Sequence, residues 1–413
     1  MGVDHNQKLL EENTDILNLK SMGLKTALDS SSIDLKPFDF IVISPGIPPT
    51  HPLQIAAKAQ NKEIIGEVEL ACRNLKPKLF LGITGTNGKT TVTLMTAHIL
   101  KHAGKKAYAL GNVGVPITSQ ETHDADAIII AELSSYQIET LHSKIIDAAV
   151  ILNITPDHLD RYHSMQEYAL AKLHIANCLK KGGMLFLEKE TDLAYGHLLA
   201  GPPIETYGYQ SHCDFHTDLQ HIYFRHRKIC SLPVPLQGKK THDLENFLAA
   251  FALCQRAGIT PQQFLDGFAT FKKPAHRIEF VTKVNEVSYY DDSKGTNLDA
   301  VIRAVESVTG PVILIAGGMD KGAPYTPWIK AFNGKVKLIC AIGQAAEKIV
   351  KDLSSDIPVK QFQSLEEAVK HAVKEARAGD NVMLSPGCSS LDMFKDYAHR
   401  GQEFQRIVKE IHR

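Results

Sequence analysis

The chain has 413 residues, more than one hydrophobic core accommodates, so two to three domains are expected. Lys plus Arg and Asp plus Glu each number 46, so no basic excess argues for nucleic acid, and no block of like charge suggests a solvated tail. Hydrophobic residues make up 44% and charged residues 22%, as in ordinary globular chains, and no apolar run approaches the roughly 18 residues of a membrane span. M-G-V-D-H (1–5) lacks a signal-peptide pattern, and seven scattered cysteines without a C-x-x-C pair fit reduced thiols, so a cytoplasmic location is expected.

The first stretch, 1–77, reads as strand–helix alternation. Met1, Gly2, Val3 and Asp4 look like the end of a strand. Phe40, Ile41, Val42 and Ile43 read as a buried strand running into Ser44, Pro45 and Gly46, and residues 54–60 as a helix. K-P-K (76–78) reads as a linker. A Rossmann-type domain opens with a strand, a glycine turn and a helix, about 25–30 residues ahead of such a strand end. The expectation is therefore an incomplete first domain. Either the true start lies upstream, or the chain is a shortened form with exposed apolar sheet edges.

In the second stretch, 78–273, F-L-G-I-T-G-T-N-G-K-T-T (80–91) carries the most specific signal. Leu79, Phe80, Leu81 and Ile83 predict a short buried strand, 85–88 a glycine turn, and Lys89, Thr90 and Thr91 the start of a helix reaching Leu100. This arrangement gathers backbone N–H groups around one point, where the helix dipole and Lys89 add the positive charge a nucleoside triphosphate needs. Thr90 is the hydroxyl type that reaches a magnesium ion on the phosphates. The strict P-loop pattern fails at its first glycine, because Ile83 stands there and Gly82 comes one residue early.

Further strands are predicted at 127–130, 149–152 and 184–187, with short antiparallel strands around 204–236. Glu132 follows I-I-I-A (128–131) at the edge where parallel sheets place ligands, as a candidate for magnesium or as a plain helix N-terminal acid. N-I-T-P-D-H-L-D-R (153–161) repeats that arrangement. Asp157 and His158 there can serve a metal or a phosphate, or form an exposed turn, and Thr155 with Pro156 fits a helix N-cap followed by proline at N1. Lys172, within Y-A-L-A-K-L-H-I (168–175), reads by composition alone as a lysine on an amphipathic helix.

In the third stretch, 274–413, strands at 312–316, 338–342 and 381–384 alternate with amphipathic helices, which predicts a second parallel sheet with right-handed crossovers. Arg277 can bridge phosphates and Asp292 can accept from a ribose hydroxyl, although polar segments such as 289–297 are often mere turns. G-G-M-D-K-G (317–322) and S-P-G-C-S-S (385–390) are expected to offer backbone donors, with Lys321 or serine, to an anionic ligand. The chain shows no repeats and no low-complexity segment.

In this order, G-T-N-G-K-T-T (85–91), G-N-V-G (111–114), E-L-S-S-Y-Q-I-E (132–139), N-I-T-P-D-H-L-D-R-Y (153–162), A-K-L (171–173), H-R-I-E (276–279), D-S-K-G-T-N (292–297) and S-P-G-C-S-S-L-D-M-F (385–394) run over nearly the whole chain. Together they resemble the Mur ligases, the ATP-dependent amide-forming enzymes of peptidoglycan precursor synthesis. D-S-K-G-T-N is similar to the branch that adds D-glutamate to UDP-N-acetylmuramoyl-L-alanine. The resemblance implies an α/β protein of three domains. These are a Rossmann-like UDP-substrate domain (1–77, incomplete), a central P-loop ATPase-type domain with a parallel sheet and a small antiparallel part (78–273), and a Rossmann-like C-terminal ligase domain (274–413).

It also implies ATP, two magnesium ions and a carbamylated lysine, with UDP-N-acetylmuramoyl-L-alanine and D-glutamate as small-molecule partners. No nucleic-acid or membrane partner is implied, and a monomer is. By position, Gly85, Thr86, Asn87, Gly88, Lys89, Thr90 and Thr91 would hold phosphates, and Asn246, Arg277 and Asp292 adenine, phosphate and ribose. Thr90, Glu132, His158 and Lys172 would serve the metals, Lys172 as the carbamate, which displaces the plain reading of that lysine. Lys89, Glu132, His158 and Lys172 would then be catalytic. Asp4, Ser44, Gly46 and Asn112 would meet the UDP-substrate, and Lys294, Thr296, Lys321, Ser390, Leu391 and Tyr397 D-glutamate. Asp243 departs from the family pattern H-N-x-x-N, which puts the adenine contact there in doubt. A folylpolyglutamate synthase shares the ATPase core, but 292–297 and the first domain argue against it. A non-catalytic nucleotide-binding derivative is the other alternative, disfavoured by the intact ATPase and ligase positions.

Overall fold

Strands run first as two short parallel pairs, β1 (Gly2–Asp4) with β2 (Thr26–Leu28) and β3 (Phe40–Ile43) with β4 (Glu63–Gly66). The computed structural model describes residues 1–29, 33–120, 124–159 and 161–411, so Asp160 of the 153–162 motif lies outside the described residues. Each pair is a separate sheet, which leaves β1 and β3 with one strand neighbour apiece. The expectation of a buried strand at 40–43 is therefore wrong: Phe40 is 38% and Val42 45% exposed. A strand flanked on one edge only covers less of its side-chain surface than the centre of a sheet does.

Nine strands follow in one sheet: β5 (Leu79–Thr84), β6 (Ala107–Gly111), β7 (Ile128–Glu132), β8 (Ile146–Ile151), β9 (Leu179–Glu188), β10 (Ile204–Gly208), β11 (Phe215–Thr217), β12 (His221–Phe224) and β13 (Arg227–Ser231). Their order is β13-β12-β11-β10-β9-β8-β5-β7-β6. β5 to β11 pair in parallel, and only β12 and β13 are antiparallel. The short strands expected around 204–236 thus extend the main sheet, and two of the four are parallel members of it. Period-two alternation decides which side chain meets which core. Leu81 and Ile83 of β5 and Ile128 and Ile130 of β7 pack on one face, with Phe247, Phe251 and Phe264. Phe80, Ile129 and Ala131 pack on the other, with Tyr168 and Ile175. Both faces are covered, which is why these strands read as unbroken apolar runs.

A six-stranded sheet completes the chain: β14 (Glu279–Val284), β15 (Val287–Asp291), β16 (Val312–Gly317), β17 (Val336–Ile342), β18 (Val359–Gln361) and β19 (Asn381–Leu384). The order is β14-β15-β19-β16-β17-β18, parallel except for the β14 edge, which sequence reasoning did not find. Val312, Leu314 and Ala316 face one core and Ile313 and Ile315 the other.

One expected helix start is absent. After β8 none of the described residues is helical until Ser164 caps the helix Met165–Leu173, so Thr155 and Pro156 open no helix. Their polar groups are committed elsewhere: the Thr155 N–H donates to Thr86 Oγ1 at 3.0 Å and its hydroxyl to Asp299 at 3.2 Å. His158 adopts a left-handed φ of 55° within that turn.

Candidate active site

β8, β5 and β7 are neighbours, so their carboxyl ends bring the glycine turn, Glu132 and the 153–158 turn to one place. Gly88 caps the helix Lys89–His102 with φ 87°, and a Cβ there would lie 2.3 Å from Asn246 Oδ1. Only glycine meets both demands, because other residues strain at that φ and would displace Asn246. Asn153 holds the turn from behind, accepting from the Asn87 N–H at 2.8 Å and donating to the Asn87 carbonyl at 3.1 Å. Lys89 Nζ donates to the carbonyl oxygens of Gly85 and Thr86, both at 2.8 Å, so in this state it folds over the turn.

A cavity of about 290 Å³ opens above the turn. Its lining includes Thr86 to Thr90, Asn112, Glu132, His158 and Lys172 from the nine-stranded unit, and Arg277, Lys294, Thr296 and Lys321 from the six-stranded one. A neighbouring cavity of about 120 Å³ adjoins Gly88 and Asn246 and is walled by Arg277, Asp292, Asp243 and Lys273. Sixteen of the candidate site residues named from the sequence thus line these two spaces, which share Asn87, Gly88, Arg277 and Lys294.

Glu132 is 2% exposed at the end of β7. Its Oε1 accepts from Asn112 Nδ2 at 2.8 Å, while Oε2 is buried without a hydrogen-bond partner. A buried carboxylate oxygen left in this way is costly unless a cation satisfies it, so the donor set fits a divalent ion. Tyr136 Oη lies 2.8 Å from His158 Nδ1, and Asp157 Oδ2 lies 3.6 Å from Nε2. Burial pushes the imidazole down to about 4, against the pull of Asp157, so at neutral pH it is uncharged, the form that ligates a metal. Asp157 loses solvation too, but Lys321 and His158 outweigh that and hold its carboxyl below the usual range.

Lys172 is 2% exposed, donates to the Gly85 carbonyl at 2.9 Å and lies 4.6 Å from the centre of the Tyr168 ring. Burial, reinforced by Lys89, pushes its pKa well below the ordinary lysine value. Composition alone reads this residue as a surface lysine; its burial beneath the glycine turn says otherwise.

On the opposite wall, burial lowers Arg277, raises Asp292 to about 7 and, with Arg277 nearby, lowers Lys294 to about 8. Ser385 Oγ donates to Asp292 Oδ2 at 2.7 Å. Lys294 Nζ stands 3.8 Å over the Tyr397 ring. Beside Arg277, His276 Nδ1 meets Asp291 Oδ2 at 2.6 Å, and the His276 N–H donates to Glu279 at 2.8 Å. This His276–Glu279–Asp291 cluster, with His276 and Asp291 buried, is internally bonded, and Ser293 and Gln405 occupy Asp291 as well, so it braces the Arg277 segment.

Not every expected residue reaches the cavities. Ser390 is buried on the loop after β19 and Leu391 is 62% exposed, and neither lines them. Asp4 sits on β1, where its carboxylate accepts from the Asn6 N–H, and Ser44 and Gly46 are exposed. Between them, Pro45 does line the larger cavity. Four of the backbone donors expected from 317–322 and 385–390 are spent inside the protein: Gly317 donates to Pro386 and Met319 to Ser389 across the two loops, Gly318 to Ile342 and Gly387 to Gly295. Gly317 and Met319 lock the two loops together, and from the first loop it is the Lys321 side chain that reaches the site. Arg400, 1% exposed, fastens the 385–390 loop to the 292–297 segment by donating to the Ser293 and Cys388 carbonyls at 2.9 and 3.2 Å. A lone arginine in a terminal helix gave no signal of this. Tyr136, Tyr168, Arg303 and His242 were also missed, since each acts through tertiary placement without a local motif.

The seven cysteines are free, and no helix among the described residues is long and apolar enough to cross a membrane. Residues 83–254 match the Mur ligase middle domain and residues 276–388 the Mur ligase glutamate ligase domain. The chain is 54% identical over 410 residues to a UDP-N-acetylmuramoylalanine–D-glutamate ligase of Protochlamydia amoebophila (strain UWE25), covering 99% of this chain and 92% of that one. It is 38% identical to the enzyme of the same name from Alkaliphilus metalliredigens (strain QYMF), over 91% of this chain and 84% of that one. Among solved structures, UDP-N-acetylmuramate-alanine ligase from Thermotoga maritima has a TM-score of 0.62 at 18% identity, covering 97% and 92% of the two chains. MurF ligase from the same organism, in complex with ADP, also scores 0.62, at 14% identity over 90% and 99%. These structural likenesses speak for the fold, and the close sequence relatives for the family. The chain belongs to the Mur ligase family.

Proposed function

We propose that this chain is an ATP-dependent amide ligase that adds D-glutamate to UDP-N-acetylmuramoyl-L-alanine in peptidoglycan precursor synthesis. The observation that carries the reading is the 54% identity over 99% of the chain to a ligase of that name. The cavity supports it, since the glycine turn and Glu132 of one unit face Arg277, Lys294 and Lys321 of the other. We read 1–77, 78–273 and 274–413 as substrate, ATPase and ligase domains, and the site roles below as proposals. A folylpolyglutamate synthase or non-catalytic reading has no observation in its favour.

The chemistry follows from charge. A carboxylate is a poor electrophile, so the substrate carboxylate first attacks the γ-phosphorus of ATP. The bond to ADP breaks, and an acyl phosphate forms. The D-glutamate amine then attacks that carbonyl, the tetrahedral intermediate expels phosphate, and the amide remains. Lys89, Arg277 and Lys321 stand around one cavity, where they can offset charge on the transferring phosphoryl group. Asn246 and Asp292, which line the smaller cavity beside Gly88, would hold adenine and ribose. Lys294 would bind a D-glutamate carboxylate, with Tyr397 packed against it.

Thr90, Glu132 and His158 would hold magnesium, which would supply further neutralisation of phosphate charge when bound. Lys172 is held toward its neutral form, the nucleophilic form of an amine, which can add to carbon dioxide and release a proton to give a carbamate. Phosphate release by the purified chain, dependent on both UDP-N-acetylmuramoyl-L-alanine and D-glutamate, is the expected result. Release with a folate acceptor and L-glutamate instead, or with neither pair, overturns the proposal.

A further inference from the structure

The helix Leu298–Ser307 begins against the glycine turn of the other unit. Its N-cap, Asn297, turns Oδ1 inward to accept from the Ala300 N–H at 2.8 Å. That fixes Nδ2 outward, where it donates to Asn87 Oδ1 at 3.0 Å and approaches Asp157 Oδ2 at 3.4 Å. Two residues on, Asp299 Oδ2 accepts from Asn87 Nδ2 at 2.8 Å, from Thr155 Oγ1 at 3.2 Å and from Arg303 Nε at 2.6 Å. Both ends of the Asn87 amide are thus taken by the ligase unit, while its backbone is held by Asn153 of its own unit. Arg303 extends the contact outward to His242 and Glu245, at the start of the helix His242–Arg256. A charged acceptor makes hydrogen bonds about twice as strong as neutral ones, and Asp299 is three-quarters buried, so this is the firmest tie in the set.

We propose that Asp299 is a positioning residue that ties the ligase unit to the glycine turn, so that docking of that unit steadies the Asn87 side of the turn in its nucleotide-binding shape. Asn87 then contributes its side chain to the docking contact, next to the αL glycine that starts the phosphate-binding helix. By linkage, docking and nucleotide affinity strengthen each other by the same factor. The proposal rests on the ATP-binding reading of 85–91, and its experiment has one arm that does not.

In the full-length protein, Asp299→Ser keeps a residue suited to the first helical turn but is too short to reach Asn87. Asp299→Asn keeps an acceptor. Calorimetric titration with ADP is expected to give about five- to tenfold weaker binding in Asp299→Ser and near wild-type binding in Asp299→Asn, with unchanged melting temperatures. Asn87→Ala combined with Asp299→Ser is expected to be no weaker than either alone. Without nucleotide, solution scattering is expected to show a larger radius of gyration for Asp299→Ser than for wild type. Equal ADP affinity in wild type and Asp299→Ser, additive losses in the double variant, or unchanged scattering each overturn the assignment. A wild-type chain that binds no ADP sinks the functional reading instead, and the scattering comparison still decides the docking role.

Discussion

Lys172 and Lys89 share one acceptor: the Nζ of each donates to the carbonyl oxygen of Gly85, at 2.9 and 2.8 Å. Two cations on one oxygen are mutually unfavourable unless one sheds its proton. Burial falls harder on Lys172, so it is the one to do so.

A stability test follows. The folded pKa of Lys172 lies well below the ordinary lysine value of 10.5. Between those two values the unfolded chain binds more protons than the folded one, so stability rises with pH across that window and levels off above it. At neutral pH the cost of burying this amine is still present. Lys172→Met is therefore expected to abolish phosphate release yet melt no lower than wild type at pH 7, with a flatter dependence on pH up to 10. Chemical denaturation at several pH values checks it, and a steeper slope in the variant contradicts the argument.

Glu132 offers a second case. Its Oε2 is buried with no partner, whereas Oε1 is held by Asn112. Removing the charge while keeping the shape separates the two roles. Glu132→Gln should lower kcat by about 10²- to 10³-fold, the usual loss for one preorganised electrostatic group. It should also raise the magnesium concentration needed for half-maximal ADP binding, read by calorimetry, while leaving the melting temperature equal or higher. An unchanged magnesium requirement would mean that this oxygen does not ligate the ion.

The legible parts of the sequence were those in which local pattern and tertiary role coincide. The runs at 79–84, 128–132 and 312–317 are apolar because both faces of their sheets are covered, so they read correctly as central strands. The glycine turn was legible because Gly85 and Gly88 need φ values of 147° and 87°. Other features depend on partners far along the chain. Lys172 meets Gly85 across 87 positions, and Arg400 meets Ser293 across 107, so nothing nearby marks either as buried. Thr155 followed by Pro156 looked like a helix start because that pairing is locally sound, yet Thr86 and Asp299 claim the polar groups of Thr155. Strand 40–43 looked buried because composition does not reveal how many neighbours a strand has.

Gly88→Ala combines two penalties. The φ of 87° costs about 1–3 kcal/mol for a residue with a side chain. The new methyl would lie 2.3 Å from Asn246 Oδ1 and must push that side chain out of the smaller cavity. A melting temperature lower by several degrees and ADP binding at least tenfold weaker are expected. Stability loss with unchanged ADP affinity would show that Asn246 does not hold the nucleotide.

The final prediction concerns Lys294, whose pKa is lowered to about 8 by burial and by Arg277. A base lowered in this way is charged below that value and neutral above it. If it binds a carboxylate of D-glutamate, the attraction is present at neutral pH and is lost as pH rises through 8. The dependence of kcat/KM for D-glutamate reports the free enzyme, in which this shift applies. It is expected to fall about tenfold per pH unit above 8, with the corresponding parameter for ATP much less affected. Lys294→Arg keeps its charge throughout, so it should have a lower plateau but no decline between pH 8 and 9.5. A wild-type profile that stays flat to pH 9.5 would remove Lys294 from D-glutamate binding, and a decline that persists in Lys294→Arg would assign the titration to another group.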